Sequence, residues 1–442
     1  MKLKTLDLQN FRCFPSLHID FHEQLTVLVG KNGSGKSSIL EAAAIAVGIF
    51  TNCLGNKNIK SYALHIKDAL RKYYEIGSNT DVQQQYPVLI DAHVTYDGQN
   101  VSWRRAIYSP KGSMRYAYRK DAREIIQISD QVIKSLRSGD QTLRLPIICY
   151  YGTRRLWASD KNKRKSGEAM TYTRTNGYID SIDGAANDKL MLKWFKNMAI
   201  KQTQKNGAPI ELQIVTQAVE KILSLISGYK NITVEYNPDS EEIDIIYTDN
   251  AGDRNNIPLN QMSDGYKSTL SLIADIAYRM AMLNPQLQEN ILSQTEGIVF
   301  IDEIDLHLHP AWQQRILNDL QTIFPKVQFI VTTHAPAVIN SVRSENLRLL
   351  EGNEAFAPSG EVYGKDTNLI ISGVMGGSER PTIVKELFKR FYSTLDAKDY
   401  KTAQEILGKI ELTIGSDDPE VAGCHTKLSL ARFKEEFHDK NS

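Results

Sequence analysis

Gly30-Lys-Asn-Gly-Ser-Gly-Lys-Ser37 stands between two segments of opposite character. The run before it, Leu25-Thr-Val-Leu-Val29, has the unbroken β-favouring composition of a buried parallel strand. The segment after it, Lys36 to about Phe50, is Ala-rich and reads as a helix. The pattern is GxxxxGK[ST] in the strand-to-helix context that its chemistry needs. Glycines let successive backbone N–H groups curl around phosphate oxygens, and the helix N-terminus adds its partial positive charge. Lys36 is expected to reach the β- and γ-phosphates of ATP, and the Ser37 hydroxyl to ligate Mg²⁺. Lys31, Asn32, Gly33, Ser34, Gly35 and Ser38 complete the expected nucleotide-binding segment.

A second buried-type strand supplies the complement. Gly297-Ile-Val-Phe-Ile-Asp-Glu303 ends in two carboxylates, of which Asp302 is expected to hold Mg²⁺ through water. Glu303 is expected to orient and deprotonate the attacking water. Such a pair standing alone could equally cap a following helix; beside a phosphate loop the catalytic role is favoured. Thr332-Thr-His-Ala-Pro336 follows a third apolar strand, Gln328–Thr332, and exposes His334 at its end. Ser263-Asp-Gly-Tyr266 opens a long helix running from Asp264 to about Leu283, with Ser263 a good N-cap residue.

Composition narrows the rest. The 442 residues are 41% hydrophobic and 24% charged, which is globular and long enough for two or three packed lobes. Lys+Arg at 53 against Asp+Glu at 52 leave a net charge of +1, so any nucleic-acid contact must come from a local patch. Four scattered cysteines, Cys13, Cys53, Cys149 and Cys424, form no CxxC pair. The N-terminus alternates like a strand, and the apolar stretch Leu40–Phe50 is too short to span a bilayer; a cytoplasmic protein with no membrane partner is expected.

Along the chain, residues 3–9 and 17–29 read as strands and 88–108 as two strands around Asp97-Gly98. Leu145–Tyr151 reads as another strand, 185–228 as helical, 231–248 as a pair around Asn237–Ser240, and 311–323 as one helix. The tail from 380 to 438 is helical, with Leu387, Phe391 and Leu395 on one face. No heptad run is sustained anywhere.

The order of these motifs resembles that of the ABC-type ATPases. Ser263, Asp264, Gly265 and Tyr266 resemble a variant of their signature motif, which faces the nucleotide of a second subunit. His334 resembles their switch histidine, and Asp305, opening Asp305-Leu-His-Leu-His309, resembles their D-loop. His307 and His309 beside two carboxylates mimic a metal cluster, but the same DExxxHLHP texture in these ATPases carries no metal besides Mg²⁺. Asn10-Phe-Arg-Cys-Phe14 resembles the NFRxF strand of the SMC, RecF and OLD-type members, where Arg12 would approach the nucleotide; a solvated strand arginine is the alternative. Tyr150-Tyr-Gly-Thr-Arg-Arg-Leu-Trp157 stands at the place of the Q-loop without its glutamine, leaving Thr153 and Arg155 as candidates to sense the γ-phosphate.

The fold so implied is α/β: a P-loop NTPase of the ABC-ATPase head type with a helical lobe and a C-terminal helical extension. Its expected parts are an N-terminal ATPase lobe (1–152), a helical insert with a small β pair (153–263), a C-terminal ATPase lobe (264–375) and a helical tail (376–442). Missing heptads exclude the long arms of SMC proteins. YYGTRRLW, MSDGYKS, DEIDLHLHP and the segment from Tyr363-Gly-Lys-Asp366 to Ser378-Glu-Arg-Pro381 are similar to the ATPase subunits of Septu-type antiphage defence, retron-associated relatives included. That resemblance implies slow ATP hydrolysis, a head-to-tail dimer within a larger oligomer, and a separate HNH endonuclease partner of the PtuB type, with no nuclease in this chain. A RecF-like repair ATPase is the alternative. DNA contact rests on two clusters: Arg104, Arg105, Lys111, Arg115, Arg119, Lys120 and Arg123 among aromatic residues, and Arg154–Lys165. A solvated, salt-bridged face explains both as well.

Overall fold

The computed structural model describes residues 1–56, 58–59, 63–110, 120–153, 173–184, 188–205, 207–249, 251–378 and 380–441. The apolar run at Leu25 forms β3 (Leu25–Gly30) in a six-stranded sheet. Its companions are β8 (Ile147–Tyr151), β12 (Gly297–Ile301), β13 (Val327–Thr332), β14 (Leu347–Glu351) and β15 (Glu354–Phe356). The order across the sheet is β15-β14-β3-β13-β12-β8. All pairs are parallel except β14 with the edge strand β15. Every residue of β8, β12 and β13 is buried, which is why these strands read as continuous apolar runs rather than alternating ones.

A second, antiparallel sheet comprises β1 (Lys2–Phe11), β2 (Phe14–Asp20), β6 (Val88–Tyr96) and β7 (Gln99–Ile107), in the order β2-β1-β6-β7. Between the sheets runs the helix Lys36–Cys53, buried without interruption from Ala42 to Thr51. Small alanines allow this close approach, and the Trp103 indole of β7 donates to the Ala46 carbonyl at 2.9 Å. Gln328, fully buried on β13, ties the two sheets: its amide oxygen accepts from Leu3 N at 2.7 Å. Its Nε2 donates to the carbonyls of Leu3 and His22 at 2.7 and 2.9 Å.

The expected strand 17–29 is two strands in different sheets, broken at Phe21–Gln24 where the chain crosses from one layer to the other. The expected helix 311–323 is also divided, into Pro310–Gln313 and Ile316–Ile323. Arg315 leaves helical geometry between them, and its guanidinium bonds Asp319 and the Leu225 carbonyl. The hairpin β4 (Arg71–Ile76) with β5 (Asn79–Gln84), the helix Arg123–Arg137, and β14 were not anticipated from periodicity. The pair at 231–248 is β9 (Lys230–Asn237) and β10 (Glu242–Thr248), joined by β11 (Arg254–Pro258) into a three-stranded sheet.

The chain divides into two compact units, Met1–Thr367 and Asn368–Ser442. In the second, the helices Thr382–Asp396, Tyr400–Ile414 and Pro419–Asn441 pack around Phe388, Phe391, Leu407, Ile410 and Val421. Leu387 and Leu395 lie partly buried against that core beside Phe391. Among the described residues no helix is long and apolar enough to cross a membrane.

Replacing Gln328 by Leu leaves two carbonyls and one N–H of the inter-sheet seam without partners. The substitution is expected to destabilise the first unit by about 3 kcal/mol, since each buried unpaired group costs about 1–3 kcal/mol. A lower urea midpoint with unchanged circular dichroism is the expected readout; an unchanged midpoint would mean that the seam finds other partners.

Candidate functional site

Three neighbouring parallel strands deliver the candidate residues to one edge. β3 leads into Gly30–Gly35, β12 into Asp302–Asp305, and β13 into Thr333–His334, with β13 paired to both of the others. Ligands of open α/β sheets bind at such carboxyl-terminal strand ends.

The loop after β3 has Gly33 and Gly35 at φ 81° and 93°, in the left-handed region. A Cβ on Gly35 would lie 2.3 Å from the Phe14 ring, and one on Gly30 2.9 Å from the Leu350 carbonyl. Backbone N–H groups therefore line a cradle that side chains would fill. The Ser34 hydroxyl oxygen is buried there without a hydrogen-bond partner. No acidic residue occupies the first turn of the following helix, so its N-terminal positive end is left uncompensated. Lys36, 6% exposed, folds back to donate to the carbonyls of Gly30 and Lys31 at 2.8 and 2.9 Å. Burial pushes its pKa down, and Asp302, Glu303 and Asp305 oppose that shift. Ser37 stands exposed at the start of the helix and Ser38 is half-buried.

The acidic strand end is braced from β13. The Thr332 hydroxyl donates to Asp302 Oδ1 at 2.6 Å and accepts from the Glu303 N–H at 2.7 Å. Thr333 repeats this one residue on, donating to Asp305 Oδ1 at 2.6 Å and accepting from Ala335 N–H at 3.0 Å. Glu303 itself sits at φ 48°, a strained conformation for a non-glycine residue, held by these contacts. Sequence reasoning selected Asp302, Glu303, Asp305 and His334 but missed both threonines. Their signal was available as two adjacent hydroxyls immediately before the histidine.

His334 lies among the same charges: burial first, then Lys36, lower its pKa, while Asp305, Glu303 and Asp302 raise it. The net shift is downward, so the ring is neutral at neutral pH. Arg12, at φ 52° after β1, donates to Asp68 Oδ1 at 3.0 Å and to Glu41 Oε2 at 2.5 Å. Glu41 is on the helix that follows the phosphate loop, so Arg12 is fixed against that helix rather than freely solvated.

Ser263 occupies the N-cap position of the helix Asp264–Leu283, but its side chain makes no capping hydrogen bond, and Asp264 is exposed. Gly265 packs against the loop after Asp305: a Cβ there would lie 2.6 Å from the His307 carbonyl. Tyr266 meets the Trp312 ring edge-on at 4.5 Å and pairs with Tyr229; burial is the main cause pushing its hydroxyl up to about 12. His309 Nδ1 accepts from Ala311 N–H at 3.3 Å, a local helix cap.

In the first basic cluster, Arg104 forms a bidentate pair with Asp91 across β6–β7, at 2.6 and 2.9 Å, and Arg105 is buried. Arg104 is thus paired within the sheet, and Arg105 does not lie on the surface. Lys111, Arg115, Arg119 and the cluster Arg154–Lys165, with Arg155, lie outside the described residues.

The AAA-domain family profile matches residues 5–227, half of the chain. The chain belongs to the AAA-domain family. A second AAA-domain profile matches residues 165–340. The retron Ec83 probable ATPase of Escherichia coli is 28% identical, over 99% of this chain and 88% of that protein. Septu protein PtuA of Bacillus thuringiensis is 23% identical, over 98% of each. The SMC head domain from Thermotoga maritima is 16% identical with a TM-score of 0.43, covering 81% of this chain and 100% of that one.

AAA-domain membership implies ATP binding, and the cradle fits it: the glycine clearances, the orphaned Ser34 hydroxyl and the buried Lys36 suit a polyphosphate. For His334, the lowered pKa means that protonation opposes folding. The stability its neutral ring contributes is full above the ordinary value near 6.5 and is lost as pH falls below it. Lys36→Met should raise the His334 pKa toward the ordinary value in an NMR titration; an unchanged titration would assign the shift to burial alone.

Proposed function

We propose that this AAA-domain protein is the ATP-hydrolysing subunit of an antiphage defence complex of the retron and Septu kind. The observation that carries the reading is the convergence of Lys36, Asp302, Glu303, Asp305 and His334 at three adjacent strand ends. Near-full-length similarity to a retron ATPase and to a Septu protein supports the biological setting.

In this reading the loop N–H groups and Lys36 bind the phosphates of ATP. Ser37 and Asp302 would hold Mg²⁺, which supplies charge neutralisation on the phosphate oxygens when bound. Glu303, presented at a fixed strained angle, accepts the proton of the attacking water. Neutral His334 donates a hydrogen bond on the γ-phosphate side and adds no positive charge of its own. Asp305 holds Thr333 and the His334 backbone, and so aims the ring.

Ser263–Tyr266 complete a second subunit's site in a head-to-tail dimer. Support comes from the uncommitted side chain of Ser263, the exposure of Asp264 and the outward helix N-terminus. Hydrolysis then releases the dimer, and slow turnover suits such a switch. The resemblance to Septu-type ATPases implies control of a separate HNH endonuclease, with the helical tail as its docking element.

Glu303→Gln should bind ATP, fail to hydrolyse it, and double in mass by light scattering when ATP is added. A mass that stays monomeric would remove the dimer reading. Gentle affinity purification of the full chain from its native host should recover a small HNH protein in fixed ratio. A chain that arrives alone and binds gapped DNA in an ATP-dependent manner would favour the repair-ATPase alternative.

A further inference from the structure

The stretch Tyr150–Trp157 lacks the glutamine expected at its position, and its second tyrosine, Tyr151, makes contacts that suggest a different task. β8 ends at Tyr151, in register with Ile301 of β12. The Tyr151 carbonyl accepts the backbone N–H of Asp302 at 2.8 Å, so this residue sets where the acidic strand end begins. Its hydroxyl donates to Asp275 Oδ2 at 2.7 Å. Asp275 lies about three turns along the helix that begins after Ser263.

The same carboxylate oxygen accepts from Arg279 Nε at 2.8 Å, and Arg279 donates onward to the carbonyls of Gly177 and Ile179 at 2.9 and 2.8 Å. Tyr151, Asp275 and Arg279 are each 1% exposed. Asp275 Oδ1 is buried with no partner. A buried ion pair with an unsatisfied oxygen is a poor source of stability, because desolvation offsets much of the attraction. What two donors on one carboxylate oxygen do provide is a fixed rotation and register of the helix against β8.

That helix is therefore held at two points, one on the acidic loop and one on β8. Gly265 rests against the His307 carbonyl at its start, and Asp275 is held by Tyr151 three turns on. The twelve helical residues from Asp264 to Asp275 make a rigid rod of about 18 Å at 1.5 Å per residue.

We propose that Tyr151 is a positioning residue for ATP turnover. Its carbonyl sets Asp302, and its hydroxyl, through Asp275, sets the helix whose first residues are offered to the other subunit's nucleotide. A change at the acidic strand end of one subunit is thereby transmitted to Ser263 as a movement of one rod. The inference rests on the ATPase and dimer reading above.

The test compares full-length wild type, Lys36→Ala, Tyr151→Phe and Tyr178→Phe. Tyr178 is a matched control: it is equally buried, at 1%, and its hydroxyl donates to the Pro146 carbonyl at 2.7 Å rather than to Asp275. ATP affinity and steady-state hydrolysis are measured at a fixed interval below each variant's melting midpoint, so that stability itself does not enter. Tyr151→Phe is expected to keep its ATP Kd within about twofold and to lose kcat by at least about tenfold, the split that marks loss of an interaction specific to turnover. Tyr178→Phe is expected to keep both. A Tyr151→Phe enzyme with wild-type kcat, or a Tyr178→Phe enzyme that loses as much, would overturn the proposal. Hydrolysis that survives Lys36→Ala would instead overturn the nucleotide reading, and the inference with it.

Discussion

A buried parallel strand has to pair its backbone on both sides, and β3 does so between β13 and β14. This one placement governs the site. It forces Gly30 to turn against the Leu350 carbonyl of β14, where only glycine fits. It also brings the loop after β3 alongside Thr332 and His334, which follow from the neighbour on the other side. Lys36, folded back onto Gly30 and Lys31, then faces the carboxylates delivered by β12, one strand further along. No long-range loop has to be positioned independently, because the sheet register has already aligned three strand ends.

Local chemistry with fixed spacing was legible in the sequence, and tertiary bracing was not. The loop Gly30–Ser37 and the pair Asp302–Glu303 could be read because each function requires particular residue types within a few positions of a strand end. Strands buried on both faces announced themselves by unbroken apolar runs. The split at Arg315 did not, because its cause is a guanidinium reaching Asp319 and the Leu225 carbonyl, ninety residues away. Gln328 looked like a polar interruption in a strand, and its three bonds to β1 and His22 exist only once the sheets face each other. The hairpin β4–β5 escaped because its strands are largely exposed, so no alternation of buried and solvent positions marks them.

Thr332 and Thr333 illustrate why the same residues carry structure and chemistry at once. Each hydroxyl fixes a carboxylate by donating and fixes a backbone N–H by accepting. The strained φ of Glu303 is thereby held by bonds from a neighbouring strand rather than by its own loop. A loop braced in this way keeps its carboxylate in place before any ligand arrives, and electrostatic preorganisation depends on that condition.

The distribution of buried charge extends the same logic to the level of assembly. Lys36 is an ammonium buried at the phosphate loop, and Arg279 is a guanidinium buried on the helix that begins after Ser263. Burial works against the charge on Arg279, and Asp275 first, with Cys149 and Tyr151 beside it, more than offsets that effect, so the net shift is upward. Both charges are expensive to hold in a core that could have been apolar. Lys36 has a compensating ligand in prospect, because a polyphosphate would meet it. Arg279 has none, as its partners are one carboxylate and two carbonyls of its own chain. Desolvation offsets much of what such a pair contributes to stability, whereas the geometry it imposes remains. Here that geometry ties the helix that begins after Ser263 to β8, the strand whose Tyr151 carbonyl accepts from Asp302, and in the dimer proposed above it is through this element that each chain would read the other's nucleotide.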